Sequence, residues 1–342
     1  MTIVNSISFS NDGHRAAYDQ VLAAALDPRG IDIRSDASRA AIDFFPMLDD
    51  NVPAFLGRIV RNMASGRSTV GLFFRPMECF LKTRAKYRIK RRLFQVLRRL
   101  PNTRIITILP FAIDVRLHTV ASDWIYDPQF WDLEYQPEQI RDGKAGKLSE
   151  TIRGAAGQRK ILIALGSQYR LKGFDFFSRI WSEQPEIRKH YLFVAAGSVA
   201  EESRQSAQRF VEAQGLLLDR YISDEDMFEL YNVADAIWSC YAPDYNQSSG
   251  IFGRAFQLAK PSVVRDNSVL VRLADVLQHP SLPLPFGDTQ TASLSLLSWT
   301  PEHADPASVK LKTELMRKRD LDTLAKALDD RKPFMSERSA AR

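Results

Sequence analysis

The feature that most constrains the fold is a regular alternation of short apolar runs and amphipathic segments between residues 160 and 264. This pattern is typical of buried strands separated by helices. It predicts strands at 160–165, 191–195, 236–240 and 262–264, and helices at 174–181, 201–214, 224–234 and 250–258. Such an order favours a doubly wound α/β domain with a parallel sheet.

A second, weaker alternation occupies the amino-terminal half of the chain. It predicts strands at 6–10, 69–74 and 104–109, a helix at 15–25 and a long basic helix at 77–100. Because 342 residues exceed the usual size of one domain, we expect two Rossmann-like domains of the α/β class. The predicted segments are a first domain at 1–145, a charged linker at 146–159, a second domain at 160–305, and a final helix and tail at 306–342 that crosses back.

The composition is that of a globular protein, with 45% hydrophobic and 26% charged residues. The sequence contains no run of 18 apolar residues, and its amino terminus lacks the basic and apolar regions of an export signal. Cys79 and Cys240 lie far apart within apolar segments, which argues against a disulfide framework or a zinc site. We therefore expect a cytoplasmic protein without a metal site.

The loop Gly166-Ser-Gln-Tyr-Arg170-Leu-Lys172-Gly173 lies directly between a predicted strand and a predicted helix. At such a position, free backbone N–H groups and a lysine charge can hold a diphosphate. The spacing differs from that of a Walker A loop and from Gly-x-Gly-x-x-Gly, which disfavours ATPase and dinucleotide sites. An ordinary strand-to-helix turn with a solvated lysine is the alternative.

The segment Ser248-Ser249-Gly250 opens another predicted helix after a strand. Its hydroxyls and exposed N–H groups can bind an anion, although Ser249 can equally serve only as the helix N-cap. Arg254 lies one turn further along the same helix and can pair with a phosphate in a bidentate manner.

Taken in order, these segments resemble the nucleotide-binding half of GT-B glycosyltransferases, especially retaining family 4, also called glycosyl-transferases group 1. That family tends to show Gly-Arg-x-x-x-x-Lys-Gly after the first strand, a following strand that ends in glycine, a valine-serine-x-x-x-leucine stretch, and a loop that ends in Glu-Ala-x-x-x-Gly-x-Pro. The counterparts in this chain are residues 166–173, 194–197, 221–231 and 248–261. Two positions depart from the pattern, because Ser167 replaces an arginine and Arg254 replaces the second glutamate of the paired-glutamate motif.

The resemblance implies a GT-B fold in which two Rossmann-like domains with parallel sheets face each other across a cleft. It implies that Gly166, Arg170, Lys172 and Gly197 contact the donor diphosphate. It also implies that the amides of Ser248, Ser249 and Gly250 bind the distal phosphate or sugar, and that the backbone of Tyr221 and Ile222 borders the base. The only small molecule that it requires is a nucleoside-diphosphate sugar as donor substrate, with no further cofactor.

In the first half, Gly13, His14 and Arg15 follow the first predicted strand, where the resemblance implies a loop that faces the acceptor. His14 can bind a phosphate or an acceptor hydroxyl, and together with Arg254 it is a candidate catalytic residue. A surface turn followed by a helix start is the alternative for this segment.

The formal net charge of +6 is largely local. Nine basic residues and no acidic one lie between Phe80 and Leu100, namely Lys82, Arg84, Lys86, Arg88, Lys90, Arg91, Arg92, Arg98 and Arg99. Apolar residues at helical spacing among them predict an interfacial helix on an anionic membrane, peripheral to its inner face. A solvated helix packed on the sheet is the alternative, and no recognition motif supports nucleic-acid binding.

We therefore expect a glycosyltransferase, hexosyltransferase-like and of class EC 2.4, with a glycan or lipid-linked oligosaccharide as acceptor. The family's habit places it in bacterial exopolysaccharide or surface-polysaccharide biosynthesis. The departure at Arg254 keeps two alternatives open: a catalytically inactive GT-B-like protein that binds a nucleotide or a partner, and a GT-B-fold sugar-nucleotide epimerase.

Overall fold

The computed structural model describes residues 1–9, 14–37, 39–81, 85–136 and 146–329. The chain forms two compact units, one of Met1–Pro128 with Glu314–Arg342 and the other of Gln129–Thr313. We call them the first and the second unit. The unit boundary thus lies at residue 128, earlier than the predicted domain end at 145, and residues from 314 onward belong to the first unit.

The first unit contains six parallel strands in the order β2-β1-β3-β4-β5-β6. The strands are Thr2–Ser6 (β1), Ile31–Ser35 (β2), Ile42–Phe45 (β3), Ser68–Phe73 (β4), Thr103–Thr107 (β5) and Asp123–Trp124 (β6). Its first three helices are His14–Leu26 (α1), Val52–Ser65 (α2) and Ala85–Leu97 (α3). Phe55 of α2 and Phe94 of α3 pack in one apolar cluster with Phe45 and Phe73 of the sheet.

The second unit contains another six parallel strands, in the order β12-β11-β10-β7-β8-β9. They are Lys160–Leu165 (β7), Tyr191–Ala196 (β8), Leu216–Leu218 (β9), Ala236–Ser239 (β10), Ser262–Arg265 (β11) and Ser281–Leu284 (β12). The helices are Lys147–Ala156 (α4), Phe174–Glu183 (α5), Ile187–His190 (α6), Arg204–Glu212 (α7), Asp224–Val233 (α8), Gly250–Gln257 (α9), Val269–Leu277 (α10) and Thr289–Ser298 (α11). A last helix, Pro306–Ala327 (α12), continues into the first unit.

The central strands of the second unit are buried on both faces. Leu162 and Ala164 of β7 pack in one cluster with the aromatic residues of α5, whereas Ile161 and Ile163 pack in another with α8. A strand covered by helices on both faces carries a continuous apolar run, because side chains alternate between the two faces. This explains why the sequence predicted these strands within a residue or two.

Strands β2, β3, β6, β9 and β12 were not predicted, and three of the predicted segments differ from the structure. Strand β1 spans Thr2–Ser6, earlier than predicted, because Val4 is the residue that reaches the core. The basic helix begins at Ala85, after the 3-10 turn Pro76–Phe80. The predicted linker contains helix α4, which buries Ile152 in the core of the second unit. The sequence did not predict helix α4, because its few apolar residues form a narrow stripe among charged ones.

Candidate functional site

The carboxyl ends of three neighbouring strands bring most of the predicted motifs to one edge of the second sheet. Strands β10, β7 and β8 are adjacent and parallel, so the loops that follow them leave the sheet side by side. Gly166 follows β7, Gly197 follows β8, and the segment 240–249 follows β10 and leads into α9. In doubly wound sheets this edge is where ligands bind. We call it the loop edge.

Two glycines, Gly173 and Gly197, let the backbones at the loop edge approach one another closely. A Cβ atom on Gly197 would lie 2.0 Å from the carbonyl oxygen of Gly166, and one on Gly173 would lie 2.1 Å from that of Cys240. Their φ angles are also positive, 136° and 78°, as is that of Gly166 at 82°. Only glycine satisfies both the backbone conformation and the close approach at Gly173 and Gly197.

Gln168 fixes the loop after β7 and was not singled out in the sequence. Its side chain is buried, and its Nε2 atom donates to the carbonyl oxygens of Ala164, Gly166 and Ala196 at 3.1, 2.7 and 3.3 Å. With the loop held from inside, Arg170 remains exposed at the loop edge. A glutamine in a loop gives no local signal of such bonds, because its partners come from two different strands.

The segment after β10 is bonded to this loop along the backbone. Ala242 N donates to Leu171 O at 3.0 Å. Arg265, at the end of β11, donates from Nε to Tyr241 O at 2.9 Å. These bonds place the Tyr241 side chain beside the loop that carries Lys172.

Lys172 lies among tyrosine side chains. Its ammonium is 4.8 Å from the ring centroid of Tyr241 and 5.3 Å from that of Tyr245, and the side chain is only partly exposed. Burial opposes the charged form, but the phenols of Tyr241, Tyr245 and Tyr169 outweigh it and raise the pKa of Lys172. Among the described residues, no carboxylate lies within ion-pair distance of this ammonium. Lys172 is thus a cation without an acidic counterpart in the part of the chain that the structure describes.

The first turn of α9 lies next to Tyr241. Ser249 caps the helix, since its Oγ accepts a hydrogen bond from Phe252 N at 3.3 Å, and the same oxygen lies 2.8 Å from the Tyr241 hydroxyl. Ser248 and Ser249 are both buried. Gly250 is partly exposed, and a Cβ atom there would collide with the side-chain oxygen of Gln129 at 1.2 Å. The cap predicted for Ser249 is therefore present, beside the lysine loop.

Arg254 is buried and paired with an acidic side chain of the second unit, and its catalytic role stays a prediction. It is 5% exposed, and its Nη2 atom pairs with the Asp132 carboxylate at 2.9 Å. Gln257, one turn further, donates to the same carboxylate at 2.9 Å and to Gln129 O at 2.8 Å. Arg254 thus attaches residues 129–135 to α9.

The segment after β9 reaches the same edge of the sheet, because β9 is parallel to β8 and lies next to it. Ile222 is buried in the core, whereas Tyr221 is 73% exposed. Ser223 caps α8 by accepting a hydrogen bond from Asp226 N at 3.1 Å. Gly197 N donates to Leu218 O at 3.0 Å, which ties β9 to the end of β8.

The predicted acceptor loop in the first unit falls largely outside the described residues. Gly13 is not described, and neither are the side chains of His14 and Arg15. Helix α1 begins at His14, after the carboxyl end of β1. His14 therefore remains a candidate from sequence alone.

Among the described residues, no group of three or more histidine, cysteine or acidic side chains is arranged so that it could hold a metal ion. Within the same residues, no helix has the length and apolar character needed to cross a bilayer.

Solved structures of glycosyltransferases resemble this chain over nearly its whole length. HepE from Anabaena in complex with UDP superposes with a TM-score of 0.63 at 11% identity, covering 95% of this chain and 98% of HepE. WaaG, a glycosyltransferase involved in lipopolysaccharide biosynthesis, gives 0.55 at 12% identity, covering 96% of this chain and all of WaaG. The chain has their two-domain α/β fold. Sucrose-phosphate synthase from Thermosynechococcus elongatus gives 0.57 at 12% identity, with 96% of each chain covered.

The predicted fold class, two Rossmann-like units with parallel sheets as in GT-B enzymes, is therefore confirmed. No protein-family model matches the chain, and no curated protein matches it in sequence. At 10–14% identity the solved structures establish the fold alone.

Proposed function

We propose that the chain is a glycosyltransferase whose second unit binds a nucleoside-diphosphate sugar at the loop edge. The observation that carries this proposal is the Lys172 ammonium, which has no carboxylate partner among the described residues and lies beside the capped start of α9. A partly buried cation next to a helix N-terminus favours an anion, and a diphosphate supplies the missing charge. The fold supports the choice, because HepE was solved with UDP and with UDP-glucose.

In the proposed reaction the nucleoside diphosphate leaves the sugar as an anion. Lys172, the exposed Arg170 and the backbone N–H groups at the start of α9 stabilise the negative charge that develops on it. Gly166 and Gly197 leave space for the diphosphate at the backbone, since neither carries a side chain. Tyr221 and Ile222, which follow β9, border the base in this proposal. No cofactor besides the donor is needed.

We further propose that the acceptor is a glycan or a lipid-linked oligosaccharide used in bacterial surface-polysaccharide assembly. The role printed for WaaG in lipopolysaccharide biosynthesis supports this choice. His14 is the candidate group for the acceptor hydroxyl. The proposed location is the cytoplasm, with the protein peripheral to the inner face of the membrane.

The donor site is tested by Lys172→Ala. Because the variant removes a charge-assisted contact, we expect UDP affinity to fall on the order of tenfold to a hundredfold. The melting temperature should fall by only a few degrees, because Lys172 has no acidic partner among the described residues and loses only its contacts with the Tyr241 and Tyr245 rings. Isothermal titration calorimetry measures the first quantity, and differential scanning fluorimetry the second.

Lys160→Ala is the matched control for this test. Lys160 is also a half-buried lysine next to a tyrosine ring, at 5.5 Å from the Tyr191 centroid, but it lies at the opposite end of β7. UDP affinity should survive this change. If no member of a panel of nucleoside-diphosphate sugars stabilises the native protein or releases its diphosphate in the presence of acceptors, the transferase proposal is wrong. Binding without turnover would instead favour the inactive nucleotide-binding protein.

The outward face of α3 supports the proposed contact with an anionic membrane. Ile89 and Val96 are 67% and 57% exposed, and the exposed cations Arg88, Arg92 and Arg99 lie between and beside them. Arg88, Ile89, Arg92 and Val96 recur at helical spacing within α3 and so share one face, and Arg99 follows the end of the helix. Exposed apolar side chains flanked by cations fit the interface of an anionic bilayer. Lys90 faces inward instead, where it pairs with Asp49 and Glu78, and Lys82 and Arg84 lie outside the described residues.

Replacing Arg88, Arg92 and Arg99 by glutamate should weaken binding to vesicles that contain phosphatidylglycerol on the order of 100-fold, since each cation contributes about 1 kcal/mol. Flotation of liposomes measures the change. The control replaces Lys147, Arg153 and Lys310, which are exposed cations of the second unit, by glutamate and alters the net charge equally. Equal losses in both variants would show that net charge alone governs binding, contrary to the proposal.

A further inference from the structure

We propose that Tyr241 is a positioning residue that joins Lys172 and the first turn of α9 into one anion-binding unit. The inference rests on the proposed function only for the identity of the anion, a nucleoside diphosphate. Tyr241 is 4% exposed, its ring lies against Lys172, and its hydroxyl reaches Ser249. Tyr241 therefore contacts both Lys172, in the loop after β7, and Ser249, at the start of α9, which lie in the two segments predicted to bind phosphate.

The contacts of Tyr241 connect the two segments. The Lys172 ammonium, which can only donate, lies 4.8 Å from the centroid of the Tyr241 ring. The Tyr241 hydroxyl and Ser249 Oγ lie 2.8 Å apart and share a hydrogen bond in which either oxygen can donate. Ser249 Oγ also accepts from Phe252 N at 3.3 Å. When the Tyr241 hydroxyl donates, Ser249 accepts both bonds and has its own hydrogen left to donate.

In that arrangement the Lys172 ammonium and the Ser249 hydroxyl both present donors beside Tyr241. A set of converging donors selects a group that only accepts, such as the oxygens of a phosphate. The Arg265 bond to Tyr241 O holds the backbone of Tyr241 in place, so that the phenol is preorganised rather than recruited by the ligand.

Tyr241→Phe keeps the ring beside Lys172 and removes only the hydroxyl. We expect about a tenfold loss of UDP affinity, measured by isothermal titration calorimetry. In the native background, the effects of Lys172→Ala and Ser249→Ala on UDP affinity should be non-additive, and they should become additive once Tyr241→Phe is present. Additive effects in both backgrounds would overturn the proposal.

The matched control is Tyr231→Phe. Tyr231 is also a buried tyrosine, and its hydroxyl donates to Ile251 O of α9 at 3.0 Å. Its loss should destabilise the unit in the same way as the loss of any buried hydroxyl bond, while UDP affinity is retained. If both variants lose affinity equally, Tyr241 acts only through general packing.

A measurement without nucleotide separates this inference from the proposed function. The hydrogens of the Lys172 ammonium, followed by ¹⁵N NMR in the unliganded protein, should exchange with water faster in Tyr241→Phe than in the native chain or in Tyr231→Phe. Faster exchange in a protein that does not bind UDP would support the positioning role and reject the proposed donor. Unchanged exchange would reject the role of Tyr241, whatever the protein binds.

Discussion

Replacing Arg254 by methionine should lower the free energy of unfolding by about 3–5 kcal/mol, because it leaves a buried carboxylate without its cation. The two side chains of the Arg254–Asp132 pair are only 6% and 5% exposed, and the nitrogen and oxygen lie 2.9 Å apart. Methionine retains much of the apolar volume of arginine, so the loss of stability reflects mainly the removal of the positive charge. Urea unfolding followed by circular dichroism measures the change.

Two further variants test whether the loss of stability comes from the burial of the Arg254–Asp132 pair. Adding Asp132→Asn to Arg254→Met removes the uncompensated charge and should restore part of the lost stability. Arg179→Met breaks an exposed pair with Glu183, whose side chains are 43% and 44% exposed, and should cost no more than about 1 kcal/mol. A loss of under about 1 kcal/mol for Arg254→Met would show that Asp132 is solvated or protonated in the folded chain.

The buried pair also explains why an arginine is acceptable where the resemblance implies a glutamate. The Arg254 side chain is used to hold residues 129–135 against α9, and Phe130 packs on Phe252 and Phe256 beside it. A side chain near the start of α9 thus stabilises the packing of residues 129–135. The proposed donor site accordingly depends on Lys172 and Ser249 rather than on Arg254.

The sequence predicted the second sheet better than the first for a physical reason. Its central strands are covered on both faces and so read as continuous apolar runs. In the first unit, β3 has four residues and carries Asp43 in its middle, which breaks the apolar pattern. Asp43 is fully buried and accepts hydrogen bonds from Asn5 and Asn62 at 2.6 and 2.7 Å. These partners lie 38 and 19 residues away, so the sequence around Asp43 does not indicate that its carboxylate will be buried and hydrogen-bonded.

The same distinction applies to the residues of the candidate site. Gly166, Lys172 and Gly197 follow strand ends, and the parallel topology alone brings strand ends to one edge. The partner of Arg254 lies 122 residues away, and the bonds of Gln168 go to backbone atoms of two strands. The sequence predicts which residues follow a strand end. The direction of a side chain cannot be predicted in this way, because it depends on tertiary neighbours.

Gly197→Ala should destabilise the second unit by about 3 kcal/mol or more, and it should disturb the loop edge at the same time. The new Cβ atom would lie 2.0 Å from Gly166 O, a backbone atom that cannot rotate away. The φ angle of 136° adds strain for any residue with a side chain. Relief requires the ends of β7 and β8 to separate, although these strands are paired from Lys160 with Tyr191 to Leu165 with Ala196.

Gly154→Ala is the opposite case and serves as the control. Gly154 lies within α4, and a Cβ atom there meets no heavy atom within 4 Å. Alanine should therefore stabilise the helix by about 0.5–1 kcal/mol. Thermal unfolding and UDP titration of both variants measure the difference, and we expect Gly197→Ala alone to lose affinity, because the displaced Gly166 carries the loop that ends in Lys172. If Gly197→Ala has the same melting temperature as the native protein, the backbones at Gly166 and Gly197 are not in close contact. Their close approach would then not determine the geometry of the loop edge.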